Sequence, residues 1–462
     1  MVTLRFCANF HVINGDLQKR ALRRRCFDNV RISYCGVLAM NGLKPQRLTL
    51  AFIVVWTASG LWAASANEPA LLETRELISP VGPDAREPFL SELEGGRVLM
   101  SWTEAAGNGF AVKVAIADSV GWSDARVVVE SEELFVNWAD FPSAVAMADG
   151  TLVAHWLQIN GEASYQYDIK IAMSPDEGKT WGPSIILHDD RSQREHGFVT
   201  LLPKPDNTVS AIWLDGQAYD AYAAQDITEN AMQLRTRSIV ADGRLGPETL
   251  LDGRTCTCCQ TSAALTQSGA VLAVYRDRSS AEVRDISVVR HLQNRWSAPA
   301  RVYDDGWVIE GCPVNGPAID AKGSRAAVAW FTASEDIPKV RVAFSDDDGV
   351  TFRAALRIDN GAPSGRVDVL QQPDGAAIVS WVERTGKGET IMICRVLPDT
   401  GCAKAFTLGV ISLGRTVGFP RMALAKDAIV IAWTEPAASV EGSSGSGSTI
   451  RTRMVPLAAF FQ

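Results

Sequence analysis

The sequence of 462 residues lacks the features of several common protein classes. After residue 67 it has no long stretch of helical periodicity and no linker-like segment, which argues against a helical bundle and against a second domain. It also has no excess of positive charge, because 45 Lys and Arg residues face 53 Asp and Glu residues, for a net charge of −8. An acidic chain is a poor match for nucleic acid, so we expect no nucleic-acid partner.

Only one apolar run has the length of a targeting segment, and it lies near the amino terminus. A basic stretch precedes this run at 48–63, and residues 64–66 (Ala-Ser-Ala) have the small side chains of a cleavage site. We expect Met40 to be the true start, residues 1–39 to be an upstream extension, and residues 40–66 to be a signal peptide. A single-span membrane anchor is the alternative, which the short and interrupted run disfavours.

Cleavage after residue 66 leaves residues 67–462 as a single exported domain. The removed segment holds nine Lys or Arg and two Asp or Glu, so the remainder has 36 basic and 51 acidic residues and a net charge of −15. We expect a secreted or periplasmic monomer with no stable membrane span after the signal is removed. Such an acidic protein can still contain a local basic pocket.

A short apolar strand that ends in an aromatic residue occurs seven times. The seven aromatics, 51 to 62 residues apart, are Trp102, Trp156, Trp213, Tyr275, Trp330, Trp381 and Trp433. Each unit reads as four short strands, which is typical of one blade of a β-propeller. We predict an all-β propeller of four-stranded antiparallel blades, with seven blades and six as the alternative. The last unit lacks its fourth strand, which residues 71–78 would supply to close the ring.

Two segments share the pattern S-x-D-x-G-x-T-aromatic. The residues that define them are Ser174, Asp176, Gly178, Thr180 and Trp181 in the first, and Ser345, Asp347, Gly349, Thr351 and Phe352 in the second. In such a box the Asp accepts hydrogen bonds from turn N–H groups, and the Gly supplies a positive φ. Both boxes follow the third strand of a unit, so we expect them to be structural hairpins on the face of the disc away from the site.

The loops that lead into the first strands and out of the second strands share the other face, called here the upper face. Polar residues concentrate in these loops, and the predicted substrate-binding residues are Arg86, His196, Arg276, Arg278, Arg366 and Arg421. The arginines of blades six, seven and one could converge near the central axis, where several guanidinium groups suit a carboxylate. The alternative is that each arginine pairs with an acidic neighbour on an exposed rim.

The two boxes, the blade repeat and the export signal resemble the sialidase superfamily, whose boxes are called Asp boxes or bacterial neuraminidase repeats. The resemblance extends from about residue 70 to the end, and its motif-level match is confined to 174–181 and 345–352. It implies a glycoside hydrolase that acts on an anionic, sialic-acid-type glycan and needs no cofactor or metal. Similar boxes occur in other secreted propellers, so a non-catalytic propeller that binds a glycan or an envelope protein is the alternative.

The resemblance also implies catalytic roles: an arginine triad for the sugar carboxylate, an Asp acid/base, and a Tyr nucleophile helped by a Glu. We predict Asp140 as the acid and Glu310 as its partner, from their placement in upper-face loops. No tyrosine follows Tyr303, whereas the family nucleophile lies late in the chain, so Tyr219 and Tyr222 are considered as substitutes. The sequence also lacks the Arg-Ile-Pro motif of the family, and sialidases have six blades.

Six of the nine cysteines lie after residue 66, an even number in a chain expected to reach an oxidising compartment. Cys394 and Cys402 flank a hairpin turn and are predicted to form a disulfide. A second group, at the start of blades four and five, comprises Cys256, Cys258, Cys259 and Cys312. We predict disulfides across the two blades for this group. A four-thiolate metal site, or a redox site, is the alternative, which the adjacency of Cys258 and Cys259 disfavours.

Overall fold

The computed structural model describes residues 70–220, 230–386, 388–411, 418–436 and 447–461. These residues form seven antiparallel sheets, each built around four consecutive strands of the ring. The first strand of each blade contacts the first strand of the next, and that of blade 7 contacts that of blade 1. The prediction of a seven-bladed propeller is therefore confirmed, and the six-bladed alternative is wrong.

The strands of the first four blades run outward from the central axis. Blade 1 has Arg86–Leu93, Arg97–Ala106, Gly109–Ala117 and Arg126–Ser131; blade 2 has Ser143–Ala146, Leu152–Ile159, Tyr167–Ser174 and Ile185–Ile186; blade 3 has His196–Lys204, Thr208–Asp215, Met232–Val240 and Thr249–Thr255; blade 4 has Ser262–Leu265, Val271–Arg276 and Ile286–Leu292, with Arg295–Trp296 and Ala300–Arg301 at its outer edge.

The last three blades include the closure of the ring. Blade 5 has Ala318–Lys322, Arg325–Thr332, Lys339–Ser345 and Leu356–Arg357; blade 6 has Pro363–Gln371, Ala377–Thr385, Gly388–Leu397 and Gly401–Ile411, with Ala70–Leu71 added in parallel; blade 7 has Arg421–Ala425, Ala428–Pro436 and Ser448–Pro456. The fourth strand of blade 7 is Arg75–Leu77, which pairs antiparallel with Ser448–Pro456. The predicted closure by the amino-terminal segment is thus confirmed.

Helical structure among the described residues is limited to short 3₁₀ turns, at Glu94–Gly96, Ser334–Asp336 and Leu457–Phe461. None of the described helices has the length and apolar character needed to cross a bilayer. The hydrophobic core therefore lies between neighbouring sheets, where the apolar faces of adjacent blades pack against each other.

The recurring aromatic residues occupy these inter-blade cores. Trp102, Trp213, Trp330 and Trp381 are fully buried. A buried indole needs an acceptor for its N–H. The indole of Trp213 donates to Asp215 at 2.9 Å, and that of Trp381 donates to Glu383 at the same distance. This geometry explains why polar residues follow the aromatic at the end of several second strands.

The two S-x-D-x-G-x-T segments close their turns with the same set of hydrogen bonds. In the first, the Asp176 carboxylate accepts from the Thr180 N–H at 2.8 Å and from the Thr180 hydroxyl at 2.7 Å. The Ser174 hydroxyl accepts from the Gly178 N–H at 2.7 Å, and Gly178 has a φ of 88°. Ser345, Asp347, Gly349 and Thr351 repeat this arrangement. Both turns follow a third strand, so they lie on the face opposite the upper face.

Candidate functional site

A cavity of about 370 Å³ lies on the axis of the propeller. The first strands of all seven blades contribute to its wall, and the polar and aromatic residues that line it include Phe89, Glu92, Asp140, Phe141, Phe198, Thr200, Gln260, Asp320, Asp368 and Arg421. Its volume lies within the usual range for small-molecule sites, which are typically apolar with a few convergent polar groups. The cavity is therefore the first candidate for a ligand site.

The carboxyl groups in this wall join neighbouring blades. The Asp140 carboxylate accepts a hydrogen bond from the Phe198 N–H of blade 3 at 2.7 Å. Asp320 accepts from the Gln371 N–H of blade 6, and Asp368 accepts from the Met422 N–H of blade 7, both at 2.7 Å. First strands are inner sheet edges, so their N–H groups need such acceptors. These carboxyls help to hold the ring together.

Burial raises the pKa of each of these carboxyls, although the backbone hydrogen bonds oppose the shift. The pKa of Asp140 is raised to about 7, and that of Asp320 also to about 7. The pKa values of Asp368 and Glu92 are raised in the same way. Removal from water disfavours the charged form, so much of the cavity wall stays neutral in mildly acidic solution.

Asp140 belongs to a second polar group that lies behind the cavity wall. The hydroxyl of Tyr167 contacts the Asp140 carboxyl at 3.4 Å and the Glu195 carboxyl at 3.1 Å. Because both distances end at the same hydroxyl, the two carboxyl oxygens are separated by no more than their sum, 6.5 Å. Burial, and to a lesser extent the Asp140 charge, raise the pKa of Glu195 to about 8. The two carboxyls thus share one hydroxyl in a buried setting.

Glu195 also lines an outer cleft of about 440 Å³ between blades 2 and 3. The other residues of this cleft include Tyr165, Arg194, Tyr219 and Asp220. Arg194 and Asp220 form a salt bridge of 2.9 Å in its wall. The bridge from Asp140 through Tyr167 to Glu195 therefore separates the central cavity from this cleft.

Arg421 is the arginine that lines the central cavity. Its guanidinium lies 4.7 Å from the ring centre of Phe141, and 5.9 and 5.8 Å from those of Phe89 and Phe419. The Asp368 carboxyl lies 3.9 Å away. The Arg421 Nε has no hydrogen-bond partner among the described residues. Because this guanidinium lines the cavity, it can offer charge-assisted hydrogen bonds to an anionic ligand.

The other two arginines of the predicted triad have different neighbours. Arg86 forms a salt bridge of 3.3 Å with Asp84 and lies over the ring of Phe110. Arg366 has a φ of 56° and stacks on Trp138 at 5.4 Å. Neither lines the cavity wall. The contact of Arg86 with Asp84 agrees with the alternative in which an arginine pairs with an acidic neighbour instead of binding substrate.

Three further residues predicted to bind substrate are buried in structural networks. His196 is fully buried, stacks on His188, and contacts the Asp215 carboxyl at 3.3 Å. Arg276 donates to backbone carbonyls, including that of Asn315 at 2.8 and 3.0 Å. Arg278 forms a bidentate pair with Glu282, at 2.8 to 3.1 Å. His196 and Arg276 lie at strand ends and Arg278 lies in a loop, and the contacts of all three are with the surrounding scaffold.

The predicted catalytic pair is not brought together at the cavity. Asp140 is 3% exposed and lines the cavity, whereas Glu310 is exposed and does not line it. Of the two tyrosines considered, Tyr219 lines the outer cleft, and Tyr222 falls outside the described residues. Among the described residues, the hydroxyl of Tyr167, which is 1% exposed, contacts the carboxyl of the predicted acid.

Sequence reasoning missed Tyr167, Glu195 and Glu87. Glu195 directly precedes His196, and Tyr167 opens the third strand of blade 2, so both lay beside residues that had been considered. Glu87 is buried and has a φ of 60°, and burial raises its pKa to about 8. Its place between Arg86 and a proline, at the start of the first strand of blade 1, is the signal in the sequence that could have identified it.

The turn Asn137–Asp140 covers the upper end of the axis. Its Ala139 carbonyl accepts a hydrogen bond from the Gln260 side chain of blade 4. The Trp138 ring stacks on Phe419 of blade 7 at 5.9 Å. One turn from blade 2 thus contacts blades on other sides of the ring, and Asp140 lies at its inner end.

The cysteines divide into one disulfide and one group of thiols. Cys394 and Cys402 are disulfide-bonded, as predicted. Cys256, Cys258, Cys259 and Cys312 are free thiols, so the predicted cross-blade disulfides are not formed. The Cys256 sulfur lies 3.8 Å from that of Cys258 and 3.7 Å from that of Cys259, well beyond the bonded distance of about 2.05 Å.

No family model matches the chain, and no curated protein matches it in sequence. Among solved structures, it is similar to an α-L-arabinanase of Penicillium chrysogenum, with 12% identity, 85% of this chain and 99% of that chain covered, and a TM-score of 0.44. It is also similar to the polysaccharide lyase Uly1, with 8% identity, 86% of this chain and 94% of that chain covered, and a TM-score of 0.49. A mutant of the NanB sialidase of Streptococcus pneumoniae has 13% identity, with 85% of this chain and 71% of that chain covered, and a TM-score of 0.44. Likeness at these identities concerns the fold alone.

Proposed function

We propose that this propeller is a glycan-acting hydrolase whose central cavity binds an anionic sugar and whose acid/base residue is Asp140. The observation that supports this function is the position of the Asp140 carboxyl, which lies in the cavity wall and is linked through the Tyr167 hydroxyl to a second carboxyl. Pairs of carboxyl groups at such distances are the usual equipment of glycoside hydrolases.

The pKa of Asp140 suits this role. A general acid works best when its pKa is near the working pH, and burial raises the pKa of Asp140 to about 7. In its protonated form Asp140 would donate a proton to the glycosidic oxygen as the bond to the sugar breaks. Water would then supply the hydroxyl of the product, and the proton that this water loses would restore the protonated Asp140. Tyr167 and Glu195 would act as positioning residues, because they hold and tune the Asp140 carboxyl from behind.

Arg421 defines the proposed substrate class. Its guanidinium faces the same cavity as Asp140, and a sugar carboxylate there would form a charge-assisted hydrogen bond. The other carboxyls of the wall have raised pKa values, so they oppose an anion less at mildly acidic pH. The sialidase resemblance makes sialosides the first substrates to test, and uronic-acid glycosides share the same carboxylate chemistry.

The test is hydrolysis of a panel of fluorogenic glycosides that includes sialosides, glucuronides and uncharged sugars. We expect release from an anionic member, and Asp140→Asn is expected to reduce kcat/KM by about 10²-fold or more, the usual contribution of a general acid. Arg421→Lys is expected to weaken anionic substrates selectively. Glu310→Gln and Arg86→Gln are matched controls outside the cavity and should retain activity. A folded protein that cleaves no member of the panel would exclude the proposal.

A second candidate function is glycan binding without catalysis. It is favoured by the hydrogen bond from the Phe198 N–H to Asp140 and by the turn that covers the upper end of the axis, because both explain the buried carboxyl structurally. In that case a glycan array would show binding of an anionic glycan with no turnover, and Asp140→Asn would bind as well as the unmodified protein.

Export of the protein is a further part of the proposal. The Cys394–Cys402 disulfide is typical of oxidising compartments, and a secreted or periplasmic location would give the cavity access to extracellular glycans. Fractionation of the producing cells would test it, since a chain retained in the cytoplasm would contradict the export signal predicted at 40–66.

A further inference from the structure

Four thiols meet on the upper face where blades 4 and 5 adjoin, and the proposed sugar site uses none of them. Cys256 and Cys259 are 0% and 1% exposed, Cys258 is half-buried, and Cys312 is exposed. The first three come from the segment that leads into blade 4, and Cys312 comes from the segment that leads into blade 5. The grouping is therefore built by two blades.

The spacing of the sulfurs fits a metal ion. The Cys256 sulfur lies 3.8 Å from that of Cys258 and 3.7 Å from that of Cys259, and all three lie within 4.8 Å of one another. A tetrahedral site with metal–sulfur bonds of about 2.3 Å places its sulfurs about 3.8 Å apart. The Cys312 sulfur contacts the Thr257 hydroxyl at 3.6 Å, so a fourth thiol lies beside the segment that holds the other three.

We propose that Cys256, Cys258, Cys259 and Cys312 form a thiolate site for one thiophilic d¹⁰ ion, Zn²⁺ or Cu⁺. Both ions favour thiolate ligands, and such a site is independent of the proposed hydrolysis. The adjacency of Cys258 and Cys259, which disfavours a metal site in the sequence, is compatible with one here, because both sulfurs lie within 4.8 Å of each other and of the Cys256 sulfur.

A neighbouring cation supports thiolate rather than thiol ligands. The Arg284 Nη1 lies 3.3 Å from the Cys256 sulfur. Glu282 holds the same guanidinium with contacts of 2.7 and 3.2 Å. Several thiolates around a mono- or divalent ion leave a net negative charge, and a fixed guanidinium beside them offsets part of it. The metal site thus has an outer partner as well as ligands.

Disulfides account for the group less well. Adjacent residues have Cα atoms about 3.8 Å apart, below the range of about 4.4–6.8 Å found in disulfides, so Cys258 and Cys259 are poorly placed to bond each other. Two schemes remain, Cys256–Cys259 with Cys258–Cys312, and Cys256–Cys258 with Cys259–Cys312. Each requires the Cys256 sulfur to close on its partner from 3.7 or 3.8 Å to about 2.05 Å. The observed spacing of the Cys256, Cys258 and Cys259 sulfurs matches a shared ion without that movement.

The ion would join the two blades. The Thr257 hydroxyl already contacts the Cys312 sulfur at 3.6 Å, so the two segments adjoin without the ion. A tetrahedral centre would fix the segment 256–259 against Cys312, in place of the cross-blade disulfides expected from the sequence. Since structural thiolate sites bind their metal ions tightly, this cross-link between the two blades would stabilise the upper face.

The test uses the full chain with Cys7→Ser, Cys26→Ser and Cys35→Ser, so that only the clustered thiols and the Cys394–Cys402 disulfide remain. Protein isolated without added reductant is analysed for bound Zn and Cu and for free thiols. Separate samples are stripped under anaerobic conditions and titrated with Zn²⁺, with Cu⁺, and with Co²⁺ as a spectroscopic substitute for Zn²⁺. Variants are Cys256→Ser, Cys259→Ser and Cys312→Ser, and the control is Cys394→Ser with Cys402→Ser.

We expect one bound ion per chain, and absorption bands of tetrahedral thiolate coordination with Co²⁺. The control variant should keep both the bound ion and these bands. Cys256→Ser and Cys259→Ser should lose stoichiometric binding. Cys312→Ser replaces an exposed side chain and should stay folded, with affinity reduced by at least about tenfold. Preferential binding in the Zn²⁺ or the Cu⁺ arm identifies the ion. A mass lower by four hydrogens than expected for four free thiols, showing two disulfides in the cluster, overturns the proposal, as does reduced protein that binds neither ion.

Discussion

Replacing Asp140 with Asn should make the protein more stable at alkaline pH while it removes activity. Asp140 is buried, and its pKa is raised from 3.8 to about 7 because burial disfavours the charged form. Between these two pKa values the folded state holds a proton that the unfolded chain has lost. The free energy of unfolding therefore falls as the pH rises through this window, and the loss is complete above pH 7.

The size of the effect follows from the shift. About three pKa units, at about 1.4 kcal/mol each, correspond to a cost on the order of 4 kcal/mol for ionising Asp140 in the folded protein. The amide of Asn has the shape of the protonated acid and can still accept from the Phe198 N–H. We therefore expect Asp140→Asn to match the unmodified protein near pH 3, below the unfolded pKa, and to be more stable near pH 8.5, by up to this amount.

The assay is urea unfolding at several pH values, with the free energy of unfolding extrapolated to water. Asp149→Asn is a control with the opposite sign. Hydrogen bonds from Thr151 and Asn207 lower the pKa of Asp149, so its ionised form contributes stability that is present above the unfolded pKa. Its replacement should therefore cost stability near pH 8.5 and little at low pH. Equal destabilisation by Asp140→Asn at both pH values would refute the reasoning, because it would mean that the folded protein accommodates the Asp140 charge.

Three further changes test the scaffold, each by urea unfolding together with activity. Ser174→Ala removes the acceptor for the buried Gly178 N–H and should cost about 1–3 kcal/mol without changing kcat; an equal loss of activity would contradict a purely structural box. Leu77→Ala in the closing strand should cost about 2–5 kcal/mol, and no loss would mean that ring closure is unimportant. Cys394→Ser with Cys402→Ser should cost about 2.5 kcal/mol for a sequence separation of 8, and a much larger loss would point to the packing of the buried Cys394.

The fold was predictable because repetition makes a weak signal strong. A single short strand is ambiguous, but seven strands that end in an aromatic and recur at a similar spacing specify a blade. The closing strand was also predictable, since the last unit lacked one strand and the amino-terminal segment could supply it. The observed pairing of Arg75–Leu77 with Ser448–Pro456 follows this reasoning.

The site was less predictable because loop position does not determine side-chain direction. His196 and Arg276 lie at strand ends next to the expected loops, yet both face inward and contact buried partners. Tyr167 and Glu195 became candidates only because the structure places the Tyr167 hydroxyl between the Asp140 and Glu195 carboxyls. Contacts between blades depend on how the ring closes, and residues from different blades are far apart in the sequence.

The cysteine group shows the same limit. The sequence indicated that the segment 256–259 and Cys312 would be close, which the structure confirms through the Thr257–Cys312 contact. It could not distinguish bonded sulfurs at about 2 Å from sulfurs spaced for a shared ion, because both arrangements use the same residues in the same order.

The most direct test of the proposed hydrolase is the pH dependence of kcat/KM on whichever anionic glycoside the protein cleaves. If Asp140 is the general acid, kcat/KM should be level at mildly acidic pH and fall about tenfold per pH unit above about pH 7, as Asp140 loses its proton. The residual activity of Asp140→Asn should lack this fall. Activity that rises through pH 7, or an unchanged profile in Asp140→Asn, would contradict the assignment of Asp140 as the acid.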